Sequence, residues 1–159
     1  MMSTKPSCFP VVAIGVSEDD QESLCLFLRH LPKTSGMAVV IALKQERLDL
    51  ATFSELDRQI TEVSDGLSLS PNQIFITRAG RGLRIIHDAF HLGPDTDDKQ
   101  PIDTFLIGMA NDMKERTVGV LLSGKGSDGL LGLKSVAEQA GLVVVQDPKA
   151  HIPNANLQN

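Results

Sequence analysis

The chain has no tryptophan and no tyrosine, and its six phenylalanines are its only aromatic residues. That poverty excludes a base-stacking platform for single-stranded nucleic acid. The formal net charge of −5 likewise lacks the basic face of a nucleic-acid binder. No apolar run reaches the roughly 20 residues of a membrane span. The short apolar run near the N-terminus meets Glu18, Asp19 and Asp20, so it does not read as a signal peptide. There are two cysteines, Cys8 and Cys25, without metal-ligand spacing. Two reduced thiols in a cytoplasmic protein are expected. Repeats and low-complexity tracts are absent.

What is present suits one domain with a real core: 159 residues, 42% of them hydrophobic and 22% charged. Thr117 to Pro148 reads as a complete strand–turn–helix–strand unit. Val118 to Leu122 is a strand covered on both faces, and Gly124, Gly126 and Gly129 crowd a turn around Lys125, Ser127 and Asp128. A helix follows with Leu130, Leu133, Ala137 and Ala140 on one face; Gly141 stops it, and Leu142 to Val145 is expected as a further buried strand. Such a crossover implies parallel strands, whose carboxyl ends carry the chemistry.

Upstream, Pro10 to Gly15 reads as a strand and Leu24, Phe27, Leu28 and Leu31 as a helix ending before Pro32. Met37 to Leu43 is a second strand, and a weaker helix is expected through Phe53, Leu56 and Ile60. Gln73 to Thr77, a turn at Ala79 to Gly82, and Leu83 to His87 read as antiparallel hairpin structure, with a short Phe90–Leu92 run after it. An acidic loop from Gly93 leads to a helix opened by Pro101, with Ile102, Phe105, Leu106, Met109 and Met113 on one stripe. The fold class is therefore α/β: a three-layer, doubly wound, mostly parallel sheet with an antiparallel hairpin. Residues 1–8 are expected to be a disordered lead, 9–148 the domain, and 149–159 a polar tail.

Two turns hold the candidate chemistry. Gly15-Val16-Ser17 stands where a strand hands over to a helix, a place that can present a nucleophilic hydroxyl. The three acids after Ser17 favour a helix start with Ser17 as N-cap, and they are poor company for an oxyanion. Gly124 to Gly129 lacks the spacing of a phosphate loop; anion capture by its amides, or an N-cap role for Asp128, both fit. None of His30, His87, His91 and His151 falls where a base for Ser17 is needed. Asp97 and Asp98 read as solvated rather than as metal ligands, and neither metal nor cofactor is expected.

The segments VVAIGVS, PIDTFL, TVGVLLSGKGSDGLLGL and GLVVVQDP, in this order from about Pro10 to Pro148, resemble the catalytic domain of the CheB-type chemotaxis protein-glutamate methylesterases. The resemblance implies a Ser-His-Asp triad that hydrolyses γ-glutamyl methyl esters on chemoreceptors. Ser17 matches the nucleophile in a Gly-x-Ser-x-Gly-Gly turn whose last two glycines are Asp19 and Asp20 here. Asp128 matches the triad aspartate. Lys125, between Gly124 and Gly126, matches the methionine whose amide lies in the oxyanion hole. The histidine position at the end of the second strand is taken as Leu43, and Lys44 is discounted because it alternates to the opposite face.

A triad without its histidine implies a domain of chemotaxis or two-component signalling that has lost hydrolysis and acts through binding. The alternative is an active methylesterase. Its partner would be a signalling protein or chemoreceptor, and an uncovered sheet edge would suit a homo-oligomer.

Overall fold

The computed structural model describes residues 9–17, 20–44, 56–122 and 128–145. Six strands form one wholly parallel sheet: β1 (Val11–Val16), β2 (Ala38–Leu43), β3 (Ile60–Glu62), β4 (Ile74–Arg78), β7 (Thr117–Leu121) and β8 (Leu142–Val145). Their order across the sheet is β3-β4-β2-β1-β7-β8. The chain starts in the middle at β1, winds out through β2, then returns to β1's other side at β7. The carboxyl ends of β1 and β7 thus flank the switch point, where open α/β sheets form a crevice.

Helix α2 (Pro101–Met113) and helix α3 (Leu130–Glu138) lie together on one face, and α1 (Gln21–His30) covers the other. Two cores result. Val11, Ala13, Ala38, Val40 and Ala42 face α2, while Val12, Ile14, Val39, Ile41 and Leu43 face α1. The expected α2 stripe is buried throughout, from Ile102 to Met113.

The small residues of the central strands lie on the α2–α3 side, where the helices come close. A Cβ on Gly15 would stand 2.3 Å from Ile102 Cγ2, and one on Gly119 would meet Val136 and Leu133. Between the helices, a Cβ on Gly132 would stand 2.5 Å from Leu106 Cβ. Gly132→Ala is therefore expected to destabilise by about 1–2 kcal/mol, because overpacking outweighs the gain in helix propensity. Urea unfolding checks this: a lower midpoint with an unchanged slope is expected.

The hairpin is the pair β5 (Arg81–Ile86) and β6 (Ala89–Asp95), a separate antiparallel sheet. Its turn residues His87 and Asp88 both have positive φ, 53° and 59°, as a tight hairpin's twist requires. Arg84 forks onto Asp112 of α2 with bonds of 2.8–3.2 Å, and Ile85 N–H donates to the same carboxylate at 2.9 Å, fastening the hairpin to the helix. Arg84 is held more firmly protonated by that hydrogen-bonded carboxylate.

Several sequence expectations are corrected. The segment around Gln73 to Thr77 is β4, an interior parallel strand rather than part of the hairpin. Ile60 opens β3 instead of continuing a helix, and the rest of that expected helix, residues 45–55, lies outside the described residues. On α3 the buried positions are Gly132, Leu133 and Val136, leaving Leu130 and Ala137 exposed. Ala140 takes the left-handed conformation expected of Gly141 (φ 68°). Gly141 serves close approach, since a Cβ there would stand 2.6 Å from Thr117 O. Finally, among the described residues β8 is an exposed edge, not a buried strand. Residues 1–8 and 146–159 lie outside the described residues.

Candidate functional site

At the carboxyl ends of the strands, β1 runs into Ser17 and β2 into Lys44. Val16 is in register with Leu43, and Lys44 N–H donates to Val16 O at 2.8 Å, which sets the two chain ends side by side. Side chains alternate along each strand. Ala13 and Gly15 face α2, so Ser17 continues that face; Ala38, Val40 and Ala42 do the same for Lys44.

Ser17 is not the cap of α1. That place belongs to Asp20, whose side chain turns back instead of capping the helix. Its Oδ2 accepts from both Ser17 N–H and Ser17 Oγ–H, each at 2.9 Å. Asp20 is 3% exposed, and its other oxygen, Oδ1, is buried without a hydrogen-bond partner among the described residues. The serine hydroxyl proton is thus directed at a carboxylate. Glu18 and Asp19 lie outside the described residues.

Asp128 is buried and fully engaged. Its Oδ1 accepts from Asp103 N–H at 2.9 Å and its Oδ2 from Ile102 N–H at 3.2 Å, so it caps α2 rather than the helix that follows it. Asp103 returns the arrangement, its Oδ1 accepting from Gly129 N–H at 2.9 Å and Gly132 N–H at 2.8 Å at the start of α3. Each helix is capped by an aspartate carried at the start of the other. Gly129, with φ 112°, makes the left-handed turn between Asp128 and α3.

Lys44 reaches the same cluster. Its Nζ lies 3.4 Å from Asp128 Oδ2. Leu43, taken as the vacant base position, is buried on the α1 side of the sheet. Side chains alternate at the end of β2, and there the residue that reaches Asp128 is Lys44. The missed signal was in the sequence. Ala13, Gly15, Ala38, Ala42 and Gly119 mark the side on which helices pack closest, and Ser17 and Lys44 extend that series.

The structure thus brings Ser17 beside Asp20, and Lys44 beside Asp128. Among the described residues no hydrogen bond joins Lys44 to Ser17, and no group of three His, Cys, Asp or Glu surrounds a point where a metal could sit. Gly124, Lys125 and Gly126 lie outside the described residues. His30 ends α1 with Nδ1 2.9 Å from Leu26 O; His87 and His91 belong to the hairpin. No helix is long and apolar enough to cross a membrane, among the described residues.

Comparison with known proteins agrees with this architecture. The protein is similar to a protein-glutamate methylesterase/protein-glutamine glutaminase of Moorella thermoacetica, 30% identical over 86% of this chain and 35% of the relative. A protein-glutamate methylesterase/protein-glutamine glutaminase of Pseudomonas aeruginosa is 31% identical over 86% of this chain and 44% of its own length. The chain therefore spans less than half the length of these relatives. The crystal structure of the Thermotoga maritima CheB methylesterase catalytic domain superposes with a TM-score of 0.74 at 25% identity, over 89% of this chain and 81% of that one. The sequence profile of CheB methylesterase matches residues 12–154, and on that match the chain belongs to the CheB methylesterase family.

Proposed function

We propose that this is a CheB-type domain that no longer hydrolyses γ-glutamyl methyl esters and acts through binding, its partner a chemoreceptor or another protein of chemotaxis signalling. The observation that carries the reading is the Lys44–Asp128 ion pair at 3.4 Å. In the family's triad a histidine stands between aspartate and serine. Here Lys44 occupies the place that faces the aspartate, and Leu43 is core. As the cation of an ion pair, Nζ has only donors and no lone pair to take the serine proton.

The serine's own neighbourhood supports the same conclusion. Its hydroxyl donates to Asp20, and a carboxylate is a much weaker base than imidazole. An oxyanion forming about 4 Å from that carboxylate would meet a penalty of roughly 4 kcal/mol at an effective dielectric near 20. Asp128 already holds two amides of α2, so it serves as a cap whether or not it orients anything.

The test is methanol release from a methylated receptor fragment. Wild type and Ser17→Ala are expected to be indistinguishable from buffer, while the fragment binds saturably to both in calorimetry. Turnover by wild type that disappears in Ser17→Ala would overturn the reading. So would failure to bind the fragment, for the partner part of it. One observation favours the alternative, an active methylesterase: Ser17 and Lys44 end adjacent strands on one face, the placement a serine–lysine pair would need.

A further inference from the structure

We propose that Asp20 makes the crevice at Ser17 selective for charge: it holds a receptor glutamate while the γ-carboxyl is esterified or amidated, and rejects the same side chain as a free carboxylate. This selectivity rests on the reading above that the domain binds a chemoreceptor, and it adds which modification state is bound. An ester or amide of glutamate is neutral, whereas the free side chain, with an ordinary pKa of about 4.3, is an anion at pH 7. The two states therefore differ by one full charge at the position that would lie against Ser17.

Among the described residues, the charges around Ser17 do not cancel. Lys44 and Asp128 form a pair, Nζ to Oδ2 at 3.4 Å, and together carry no net charge. Asp20 has no cation beside it among the described residues. Its Oδ2 takes both donors of Ser17 at 2.9 Å, and its Oδ1 is buried without a partner. The positive end of α1 offsets only about half an elementary charge. An uncompensated negative charge therefore stands one hydrogen bond from the Ser17 hydroxyl, on a residue only 3% exposed.

Burial extends the effect of that charge. Water screens an exposed carboxylate, but a buried one acts through a lower dielectric on whatever enters beside it. A ligand oxygen touching Ser17 Oγ lies within about 6 Å of Asp20 Oδ2, two hydrogen-bond lengths away. There a carboxylate is repelled, while a neutral ester or carboxamide is not. Nor do the Ser17 donors offset the repulsion, because both its N–H and its O–H already belong to Asp20. A free Lys44 would act in the opposite sense and draw a carboxylate in. Its pairing with Asp128 leaves Asp20 to set the sign.

Calorimetry with one receptor peptide in three forms is the test, the same position being γ-methyl glutamate, glutamine or glutamate. Glutamine and glutamate have nearly the same shape, so the ratio of their affinities reports charge. Wild type is expected to bind the ester and glutamine forms on the order of 10- to 100-fold more tightly than the glutamate form. Asp20→Asn keeps an acceptor for both donors of Ser17 and is expected to bring the three forms within about threefold of one another. Lys44→Gln, at a half-exposed side chain, uncovers the charge of Asp128 and is expected to widen the ratio. Equal binding of the three forms by wild type overturns the proposal, as does an Asp20→Asn ratio equal to that of wild type. Should Asp20→Asn not fold, Lys44→Gln decides, and a ratio there that is unchanged or narrower overturns it. The mass of the recovered ester peptide separates this from the reading on hydrolysis. Conversion to the acid marks a failure of that reading, unconverted peptides bound equally mark a failure of this one, and binding of no form overturns both.

Discussion

Asp103→Ala is expected to destabilise the protein by about 3 kcal/mol, and to lower the melting temperature by about 6–12 °C for a chain of this size. The loss has a specific origin. Asp103 Oδ1 is the acceptor for the amides of Gly129 and Gly132, both buried. Without it, two donors at the start of α3 remain in the interior unpaired, each at about 1–3 kcal/mol. The substitution also removes a negative charge from the positive end of a helix. Asp103→Asn keeps an oxygen acceptor at nearly the same place and is expected to recover more than half of the loss.

Because Asp128 holds the amides of Ile102 and Asp103 in the reverse direction, the two aspartates form one clamp between α2 and α3. Asp103→Ala and Asp128→Ala should therefore be non-additive in a double-mutant cycle. A melting point within 2 °C of wild type for Asp103→Ala, roughly half a kilocalorie, would show that water replaces the lost acceptor and that the clamp is unimportant.

This clamp also explains what the sequence made legible and what it hid. Pro101 followed by the stripe from Ile102 to Met113 announces α2, because proline at the first helical position and 3.6-residue periodicity are local properties. The strands are legible as apolar runs for the same reason. Yet an apolar run buried on both faces has no polar side to mark which residues point where. Apolarity alone therefore does not announce that Leu43 faces α1 while Lys44 faces Asp128. Only the small residues, Ala13, Gly15, Ala42 and Gly119, record the side of close helix approach, and they do so by size rather than by polarity.

Other features depend on contacts remote in sequence. Ile60 is a strand because β4 stands beside it, while its own neighbours suggested a helix. Asp20 reads as one of three acids in a first turn, yet it turns back onto Ser17 and is buried. Asp128 reads as a cap for the helix after it and instead caps α2, at the start of a helix 27 residues earlier by the numbering of Pro101. The family's motif marks Ser17 and Asp128 by resemblance of turns, but nothing local says that Lys44 would pair with Asp128.

The consequence of that lysine is open to a direct experiment. Lys44→His is expected to introduce Ser17-dependent release of methanol from a methylated receptor fragment, on the order of 10²-fold above the Ser17→Ala background. An imidazole has a nitrogen on each side of its ring. One can donate to Asp128 while the other accepts the proton of Ser17, a pair of tasks an ammonium cannot share. The scaffold for this is present: Ser17 and position 44 end neighbouring strands on the α2 side, and Asp128 lies 3.4 Å from the present Nζ. Asp20 still holds the serine hydroxyl, so Lys44→His combined with Asp20→Gly should exceed the single variant. Leu43→His is the discriminating control. Its imidazole would enter the core beneath α1, and it is expected to lower stability without yielding turnover. Adding Asp128→Asn to Lys44→His should cancel the gain, as an amide no longer fixes the ring in the useful tautomer. Activity in Leu43→His, or none in Lys44→His with Asp20→Gly, would mean that the vacant base position is not the one that faces Asp128.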